Sequence, residues 1–278
     1  MSVDLHSHTT LSDGNLTPPE LVQAAARAGV SVLAVTDHDT TVAVPEAIEA
    51  GAKAGVRVIP GIEISSHVGD KNLHLLAYFA LSRLALLAEW QEERKRAREE
   101  RLDRMLERLR ELGAPISRED VTGPDPDPRR AIGRPHVAAA LVARGHVRDI
   151  REAFRRYLGQ GCPAYVDFPR PDAREACALV RRLGGVAVVA HPGLDGLEPD
   201  LVDLKESGVQ GVEVFHPDHK PAVTSRLLAR ARELDLIATG GSDFHGRNGE
   251  GGVLGQSRMP REQWERLEEA LARAAADA

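Results

Sequence analysis

The stretch Asp4-Leu5-His6-Ser7-His8 decides how this chain is interpreted. Its apolar residues predict a short strand, and polar residues begin where that strand ends. Side chains along a strand alternate between its two faces, so His6 and His8 can direct two imidazoles at one place. Imidazole is a ligand for zinc, iron and other first-row metals. Taken alone, the pair could equally be solvated, and the rest of the chain decides between the two interpretations.

The composition limits the classes of protein to which this chain can belong. The chain has 278 residues, 42% of them hydrophobic, which fits one large domain or two smaller ones. A net charge of -6 argues against general electrostatic capture of nucleic acid. The two cysteines, Cys162 and Cys177, lack the spacing of a zinc knuckle or a disulfide framework. With no signal-peptide pattern and no apolar run of membrane length, we expect a soluble cytoplasmic protein with no membrane association and no obligate protein partner.

Apolar strand segments alternate with amphipathic helices at both ends of the chain. Such alternation predicts an α/β fold with a parallel sheet or barrel, whose third strand is interrupted at Pro60-Gly61. Residues 84–112 instead form one long charged helical pattern, followed by a Pro-rich loop and two short helices at 135–144 and 149–158. We therefore predict a barrel built from residues 1–80 and 164–278, and a helical insertion or substrate cap at 81–163.

Candidate metal ligands occupy the ends of the predicted strands. Eight residues lie at or just past the carboxyl end of a strand, and a ninth, His74, lies inside one; the eight are His6, His8, Asp37, His38, Glu63, His191, Asp243 and His245. In a barrel of parallel strands these ends meet at one mouth. Histidines and carboxylates repeated at successive strand ends therefore predict a shared metal cluster rather than scattered surface residues.

These motifs resemble those of the PHP (polymerase and histidinol phosphatase) superfamily. The motifs are Asp4-Leu5-His6-Ser7-His8 with Asp13-Gly14, Thr36-Asp37-His38-Asp39, Gly61-Ile62-Glu63-Ile64, His74, Ala190-His191-Pro192-Gly193 and Ser242-Asp243-Phe244-His245. The resemblance implies a distorted (β/α)7 barrel with three divalent metal ions, which could be manganese, iron or zinc. It also implies a division of ligands: His6, His8, Glu63 and Asp243 on one ion; Glu63, His74 and His191 on a second; Asp13, His38 and His245 on the third. Asp37 and Asp39 would orient imidazoles from outside.

Closely spaced divalent ions suit phosphate-ester hydrolysis. They lower the pKa of a shared water, supply hydroxide at neutral pH and neutralise phosphoryl oxygens. No Ser or Cys nucleophile motif and no Gly-rich phosphate loop is found in the sequence. We count Asp13 and His38 as catalytic residues as well as ligands. By resemblance, His219 could contact the substrate or protonate the leaving oxygen, whereas His216 is expected to be solvated.

The insertion is expected to select the substrate. Arg98 and Arg101 lie three apart on the long helix and can share a face, and Gly133-Arg134-Pro135-His136 opens a shorter helix. Guanidinium groups bind phosphate through paired hydrogen bonds, although an arginine in so charged a helix can also be simply solvated. The combination resembles the bacterial PHP branch that cleaves nucleoside 3',5'-bisphosphates and trims short RNA from its 5' end. There Arg98, Arg101, Arg134 and His136 would hold a second phosphate.

Two alternatives remain open from the sequence. A histidinol-phosphatase activity is possible within the same superfamily, although the Arg-rich insertion argues against it. A metal-binding module without catalytic activity belongs to a different class, but such modules usually lack some of the ligands, and all nine are present here. A proofreading role beside a polymerase is disfavoured because the chain has no polymerase domain.

Overall fold

The computed structural model describes residues 2–246, 252–257 and 259–277. The chain divides into two compact units: Met1–Ala88 together with Arg170–Ala278, and Glu89–Pro169. We call the first the barrel unit and the second the helical unit. The role of the helical unit as a substrate cap stays a prediction.

Seven strands of the barrel unit form one sheet in chain order. They are β1 Val3–Asp4, β2 Val32–Val35, β3 Arg57–Val68, β4 Lys71–Tyr78, β5 Val186–Val189, β6 Gly211–Phe215 and β7 Ile237–Gly240. Beyond β1 the chain continues alongside the end of β7: the Leu5 N–H donates to the Gly240 carbonyl over 3.2 Å, and Ser7 bridges to Phe244 in parallel. The sheet is therefore nearly closed, and the predicted distorted barrel is confirmed.

Strand β4 runs against the rest of the sheet. It pairs antiparallel with both β3 and β5, whereas the other neighbours pair in parallel. The expectation of a wholly parallel barrel was wrong at this strand, since only a two-residue turn at Gly69-Asp70 separates β3 from β4 and no crossover helix fits there. The reversal places the first residues of β4 at the rim where the other strands end.

Strand β3 is a single strand, although an interruption was predicted at Pro60-Gly61. Residues 57–60 pair with β2, and residues 61–68 pair with β4. Proline cannot donate a backbone hydrogen bond, and here it lies where the strand changes partners. At Gly61 a Cβ atom would lie only 2.9 Å from Thr36 Cγ2 and 3.0 Å from the Val35 carbonyl oxygen. A residue with a side chain would therefore push β2 and β3 apart.

Helices cover the strands of the barrel unit. They are α1 Pro18–Arg27, α2 Val44–Ala54, α7 Ala173–Arg182, α8 Pro192–Asp195, α9 Leu201–Ser207, α10 Pro221–Glu233 and α11 Arg261–Ala276. Helix α1 begins after Thr17, whose backbone N–H and hydroxyl both donate to the Glu20 carboxylate, over 2.9 and 2.7 Å. Two buried apolar clusters lie in this unit: one includes Leu5, Leu76 and Tyr78 with Trp264 and Leu267, and the other packs α1 and α2 on β2.

The helical unit has a hydrophobic core of its own. Its helices are α3 Ala88–Glu111, α4 Arg118–Thr122, α5 Arg134–Ala143 and α6 Ile150–Ala153, which continues as a π-helical turn over Phe154–Leu158. The predicted long helix begins later than expected, because Leu81–Leu87 forms a 3-10 helix. Leu102, Met105 and Leu109 of α3 pack against Val137 and Leu141 of α5. Within the described residues, every helix is too short or too polar to cross a membrane.

Candidate metal centre

The end of β1 brings two imidazoles to the rim of the barrel unit. His6 and His8 are completely buried, and the Nε2 atom of each lies 3.2 Å from Oδ1 of Asp243. The same two nitrogens lie 3.3 and 3.2 Å from Oε2 of Glu63. The two rings therefore face one pair of carboxylates, as predicted, although His6 and His8 lie in the segment that follows β1 rather than in the strand itself.

Glu63 lies at the centre of the cluster. Five ring nitrogens lie within 3.3 Å of its carboxylate: Oε2 faces His6, His8 and His38, while Oε1 faces His74 and His191. Glu63 is 1% exposed, so water does not solvate it. Such crowding of imidazoles around both oxygens is suited to a carboxylate that bridges cations.

A second set of imidazole rings surrounds the carboxylate of Asp13. Its Oδ1 lies 3.2 Å from Nε2 of His245 and 3.7 Å from Nδ1 of His8, and its Oδ2 lies 3.8 Å from Nε2 of His38. The rings of His8 and His245 stack with their centroids 4.2 Å apart. His8 thus faces Glu63 and Asp243 through one nitrogen and Asp13 through the other.

All nine predicted ligands fall into sets that could hold a cation. In each of four sets the ligand atoms lie within 4.8 Å of one another: His8-Asp13-His38-His245, His6-His8-Asp243, His6-Glu63-His191 and His38-Glu63-His74. His74 and His191 fall into different sets around Glu63, whereas the resemblance assigned both to one ion. The number of ions and the division of ligands among them stay predictions.

The ring nitrogens at the centre are suited to metal ligation. Nε2 of His6, Nε2 of His8, Nδ1 of His38 and Nδ1 of His74 are buried and accept or donate no hydrogen bond, and Oε2 of Glu63 is likewise unsatisfied. These nitrogens lie close to carboxylates, but their geometry does not satisfy a hydrogen bond. Buried polar atoms are rarely left unpaired without a reason. Nitrogen and oxygen donors aimed into a common space fit divalent first-row metals.

Charge coupling within the cluster supports this interpretation. Burial would lower the pKa of His8, but the carboxylates of Asp243 and Glu63 raise it to about 10. Burial would raise the pKa of Glu63, but the surrounding imidazoles, His38 foremost, hold it well below its usual range. For His38 burial dominates and lowers the pKa to about 3. The site therefore combines ionised carboxylates with imidazoles that must be neutral to bind a metal.

Glu213, on β6, supports two of the predicted ligands and was missed in the sequence. Both of its oxygens lie 3.2 Å from Nδ1 of His6, and Oε2 accepts the backbone N–H of His191 over 2.9 Å. Glu213 is fully buried. The signal was a single acidic residue inside the apolar run Gly211–Phe215.

Other ligands are oriented by acidic and hydroxyl groups. Asp195 lies 2.8 Å from Nδ1 of His191, and the Ser12 hydroxyl lies 3.3 Å from Nδ1 of His8. Asp37 was expected to accept an imidazole N–H directly. Instead it accepts hydrogen bonds from Ser12 and from Thr9, so it acts on His8 through Ser12.

The two histidines that follow β6 are both buried. His216 was expected to be solvated, but its side chain is fully buried and its Nε2 lies 3.6 Å from Oδ2 of Asp243. His219 has both ring nitrogens engaged by the backbone: Nδ1 with the Val214 carbonyl at 3.1 Å and Nε2 with the Gly193 N–H at 3.2 Å. Its predicted role as a proton donor would require at least one of these hydrogen bonds to break.

The predicted substrate-binding arginines cluster within the helical unit. The guanidinium carbon of Arg101 lies 4.8 Å from the ring centroid of Phe168 and 5.8 Å from that of Tyr165. The guanidinium carbon of Arg98 lies 5.4 Å from the Phe168 centroid, and that of Arg134 lies 5.5 Å from the Tyr165 centroid. Arg98 and Arg101 are only 6% exposed, so they are not solvated surface residues. Stacking on aromatic rings holds guanidinium planes in fixed orientations.

His136 and the backbone complete this cluster. Nδ1 of His136 accepts the Gly133 N–H over 2.9 Å, which joins the start of α5 to the residue that precedes it. Arg101 also donates from Nε to the Val166 carbonyl over 2.7 Å, and Arg134 donates to the Leu158 carbonyl over 3.3 Å. These arginines therefore hold the helical unit together in addition to any role in binding.

Fold and site together define a class: an α/β barrel whose rim gathers, around an open cavity, side chains that could hold metal ions. The cavity, about 240 Å³ in volume, is lined by His38, Glu63, His74, His191, Leu194, Asp195, Asp243 and His245. Comparison with known proteins identifies the family. The model of the PHP domain matches residues 4–158, and the chain belongs to the PHP domain family.

Characterised relatives match over most of the chain. The 3',5'-nucleoside bisphosphate phosphatase of Chromobacterium violaceum is 33% identical over 90% of this chain and 89% of its own length. The 5'-3' exoribonuclease of Haemophilus influenzae is 34% identical over 87% of this chain and 89% of its own. The phosphoribosyl 1,2-cyclic phosphate 1,2-diphosphodiesterase of Eggerthella lenta is 36% identical over 90% of this chain and 96% of its own.

A solved structure agrees with this assignment. A chain from Bifidobacterium adolescentis, proposed to be a metal-dependent phosphoesterase, superposes with a TM-score of 0.87 at 33% identity and covers 96% of both chains. The protein is thus a hydrolase that acts on phosphate esters, of a metal-dependent family.

Proposed function

We propose that this phosphoesterase hydrolyses substrates that carry two phosphates, and that it removes the 3'-phosphate of nucleoside 3',5'-bisphosphates. Short RNA with a 5'-phosphate is a further substrate of the same kind. The observation that carries the proposal is the cluster of Arg98, Arg101 and Arg134 on two shared aromatic rings. Three guanidinium groups held on two shared rings concentrate positive charge, which suits the binding of a phosphate.

The second phosphate is assigned to this cluster. Arginine presents a planar fork of donors that matches two phosphate oxygens, and the rings of Phe168 and Tyr165 help to hold these guanidinium groups in place. His136, fixed by the Gly133 N–H, is proposed to contribute to the same group. A phosphate ester with a single phosphate would leave this cluster without a ligand.

The phosphate to be hydrolysed is assigned to the barrel rim. His6, His8, Asp13, His38, Glu63, His74, His191, Asp243 and His245 are proposed to hold three ions of manganese, iron or zinc. Such ions supply an activated water at neutral pH and neutralise the phosphoryl oxygens. The protein's own contribution is orientation: Glu213 and Asp195 fix the rings of His6 and His191.

Names of relatives support the proposal and add a second candidate. Two relatives are named for nucleoside bisphosphates and for 5'-3' degradation of RNA. The relative at 36% identity is named for a phosphoribosyl cyclic phosphate, so a cyclic phosphodiester that carries another phosphate is a second candidate substrate. Both candidates share the feature on which the proposal depends, a phosphate distant from the ester that is cleaved.

A substrate panel tests the proposal. Protein purified with Mn²⁺ is assayed for phosphate release from adenosine 3',5'-bisphosphate, histidinol phosphate and p-nitrophenyl phosphate, and for release of either the ring-opened monoester or phosphate from phosphoribosyl 1,2-cyclic phosphate, because the first hydrolysis of a cyclic diester frees no phosphate. We expect the bisphosphate to have the highest kcat/KM. A preference for the cyclic ester would favour the second candidate, and a preference for histidinol phosphate would favour that alternative. Equally slow release from all four would refute the two-phosphate proposal, and no release from any would favour a non-catalytic module.

Variants separate the two proposed phosphate sites. Arg134→Ala should lower kcat/KM for the bisphosphate about 10- to 100-fold, the worth of a charge-assisted hydrogen bond, and leave p-nitrophenyl phosphate within about twofold. His38→Ala should abolish both activities. Arg110→Ala is the matched control, because Arg110 is 72% exposed on α3 and its pairing with Glu107 is 4.0 Å long. Equal losses on both substrates for Arg134→Ala would show that Arg134 does not bind a second phosphate.

A further inference from the structure

Strand β6 is the one strand of the barrel to which no predicted ligand is assigned. The other six strands each carry at least one of the nine at or near the rim. β6 and the residues after it nevertheless place two charged or polar side chains, Glu213 and His216, against predicted ligands. Glu213 holds His6 and the backbone of His191, and His216 has no such hydrogen bond.

Hydrogen bonding fixes which nitrogen of His216 carries the proton. The backbone N–H of Asp218 donates to Nδ1 of His216 over 3.1 Å. A nitrogen that accepts this hydrogen bond must present a lone pair, so the ring proton resides on Nε2. His216 can therefore donate from Nε2. It is not suited to ligate a metal through that atom.

The Nε2–H of His216 faces one oxygen of one predicted ligand. It is buried without a hydrogen-bond partner and lies 3.6 Å from Oδ2 of Asp243. The two oxygens of Asp243 face different groups: Oδ1 lies 3.2 Å from the Nε2 atoms of both His6 and His8, and Oδ2 faces His216. A shift of about 0.7 Å would bring Oδ2 to ordinary hydrogen-bonding distance.

We propose that His216 is a positioning residue that donates from Nε2 to Oδ2 of Asp243 and thereby keeps Asp243 bound to its cation through Oδ1 alone. The inference rests on Asp243 being a metal ligand. Hydrogen-bond donors outside a metal site commonly fix how a ligating carboxylate is turned. Asp243 needs such support because its backbone has a φ of +49°, which a non-glycine residue adopts only when its surroundings impose it.

Two polar substitutions of similar size test the proposal. His216→Gln places an amide N–H near the position of Nε2 and keeps the donor to Asp243. His216→Asn places its oxygen near the position of Nδ1, which keeps the acceptor for the Asp218 N–H but removes the donor. Metal-free protein is titrated with Co²⁺, and the dissociation constant and the absorption spectrum of the bound ion are recorded. His146→Gln serves as the control, because His146 is half-buried in the helical unit and its Nε2 contacts the Pro115 carbonyl, at 2.9 Å.

We expect His216→Asn to weaken Co²⁺ binding about 10- to 100-fold and to change the Co²⁺ spectrum, while His216→Gln stays within about threefold of the parent. The Asn substitution should have no further effect in an Asp243→Asn background. Parental affinity and spectrum in His216→Asn, or equal losses in Asn and Gln variants, would overturn the role of His216. Unchanged Co²⁺ binding in Asp243→Asn alone would overturn its premise, the assignment of Asp243 as a ligand.

Discussion

Glu213 offers a quantitative test of how the barrel supports its metal ligands. Its carboxylate accepts from Nδ1 of His6 and from the backbone N–H of His191, and all three groups lie in the interior. When His6 binds a cation through Nε2, its proton must reside on Nδ1, so Glu213 then accepts two N–H groups. Leaving a buried donor unpaired costs about 1–3 kcal/mol. Removing the carboxylate should therefore cost the metal-bound protein about 2–6 kcal/mol.

The substitution Glu213→Met fills a similar volume and removes both acceptors. We expect the dissociation constant for Mn²⁺ to rise about 10- to 100-fold, because the Nδ1–H of metal-bound His6 would lose its acceptor. The metal-free protein should lose at least about 1–3 kcal/mol of unfolding free energy, because the His191 N–H is left unpaired there as well. Titration calorimetry on metal-free protein measures the first quantity, and urea unfolding in a chelator measures the second.

Two further variants make this result interpretable. Glu213→Gln retains an oxygen that can accept from both donors and loses the negative charge, so its Mn²⁺ affinity should lie between parent and Met variant. Glu206→Gln makes the same chemical change at an exposed position of α9 and should match the parent. If Glu213→Met bound Mn²⁺ as tightly as the parent, orientation of His6 by Glu213 would contribute nothing to the site.

Three other predictions follow from the site. Carboxylates of Asp243 and Glu63 raise the pKa of His8 to about 10, against the effect of burial, so a cation must displace a proton. Mn²⁺ affinity should therefore increase from pH 6 to pH 9, by up to about tenfold per unit for each proton released, as titrations at several pH values can show. Chelation of the metal should lower the unfolding free energy by about 2.7 kcal/mol relative to protein at a metal concentration 100-fold above the dissociation constant, measured by urea unfolding. Gly193→Ala would place a Cβ 2.5 Å from Cγ1 of Val223 and 2.8 Å from Nε2 of His219, so it should displace both side chains and cost about 1–3 kcal/mol in the same assay.

The behaviour of His74 shows what the order of strands adds to the sequence. From the chain alone, His74 was the one candidate inside a strand rather than at its end. Strand β4 runs in the opposite direction to its neighbours, so its first half lies at the rim beside the second half of β3, and Nδ1 of His74 lies 2.9 Å from Glu63. An apolar segment has the same pattern whichever way it runs. His74 could be predicted as a candidate ligand from its residue type, but the reason for its position could not be predicted.

Glu213 and His216 were missed for a related reason. The candidates in the sequence were polar residues at strand ends, because parallel strands present side chains to the mouth of a barrel there. Glu213 instead lies within β6 and contacts the predicted ligand His6 at Nδ1. His216 follows the strand in a motif that is typical of a solvated loop, yet it lies beside Asp243. Metal ligands share a recognisable chemistry. The residues that orient them can be recognised only from their neighbours in the folded protein. His6 and Glu213, for example, lie 207 positions apart in the chain.

Backbone conformation explains why the strands of this protein were easier to predict than the orientation of its ligands. Among the described residues, four that are not glycine have a positive φ, and three of them lie at the rim: Asp39 at +54°, His191 at +26° and Asp243 at +49°. Each such residue costs about 1–3 kcal/mol, and local turn chemistry would favour glycine there. Hydrogen bonds from elsewhere in the barrel hold two of them: His191 donates its N–H to Glu213, and the Ser65 N–H donates to Asp39. The strands follow local rules of pattern and propensity. The residues they present break those rules, because contacts from distant parts of the barrel unit, rather than the conformational preference of each residue, determine where they lie.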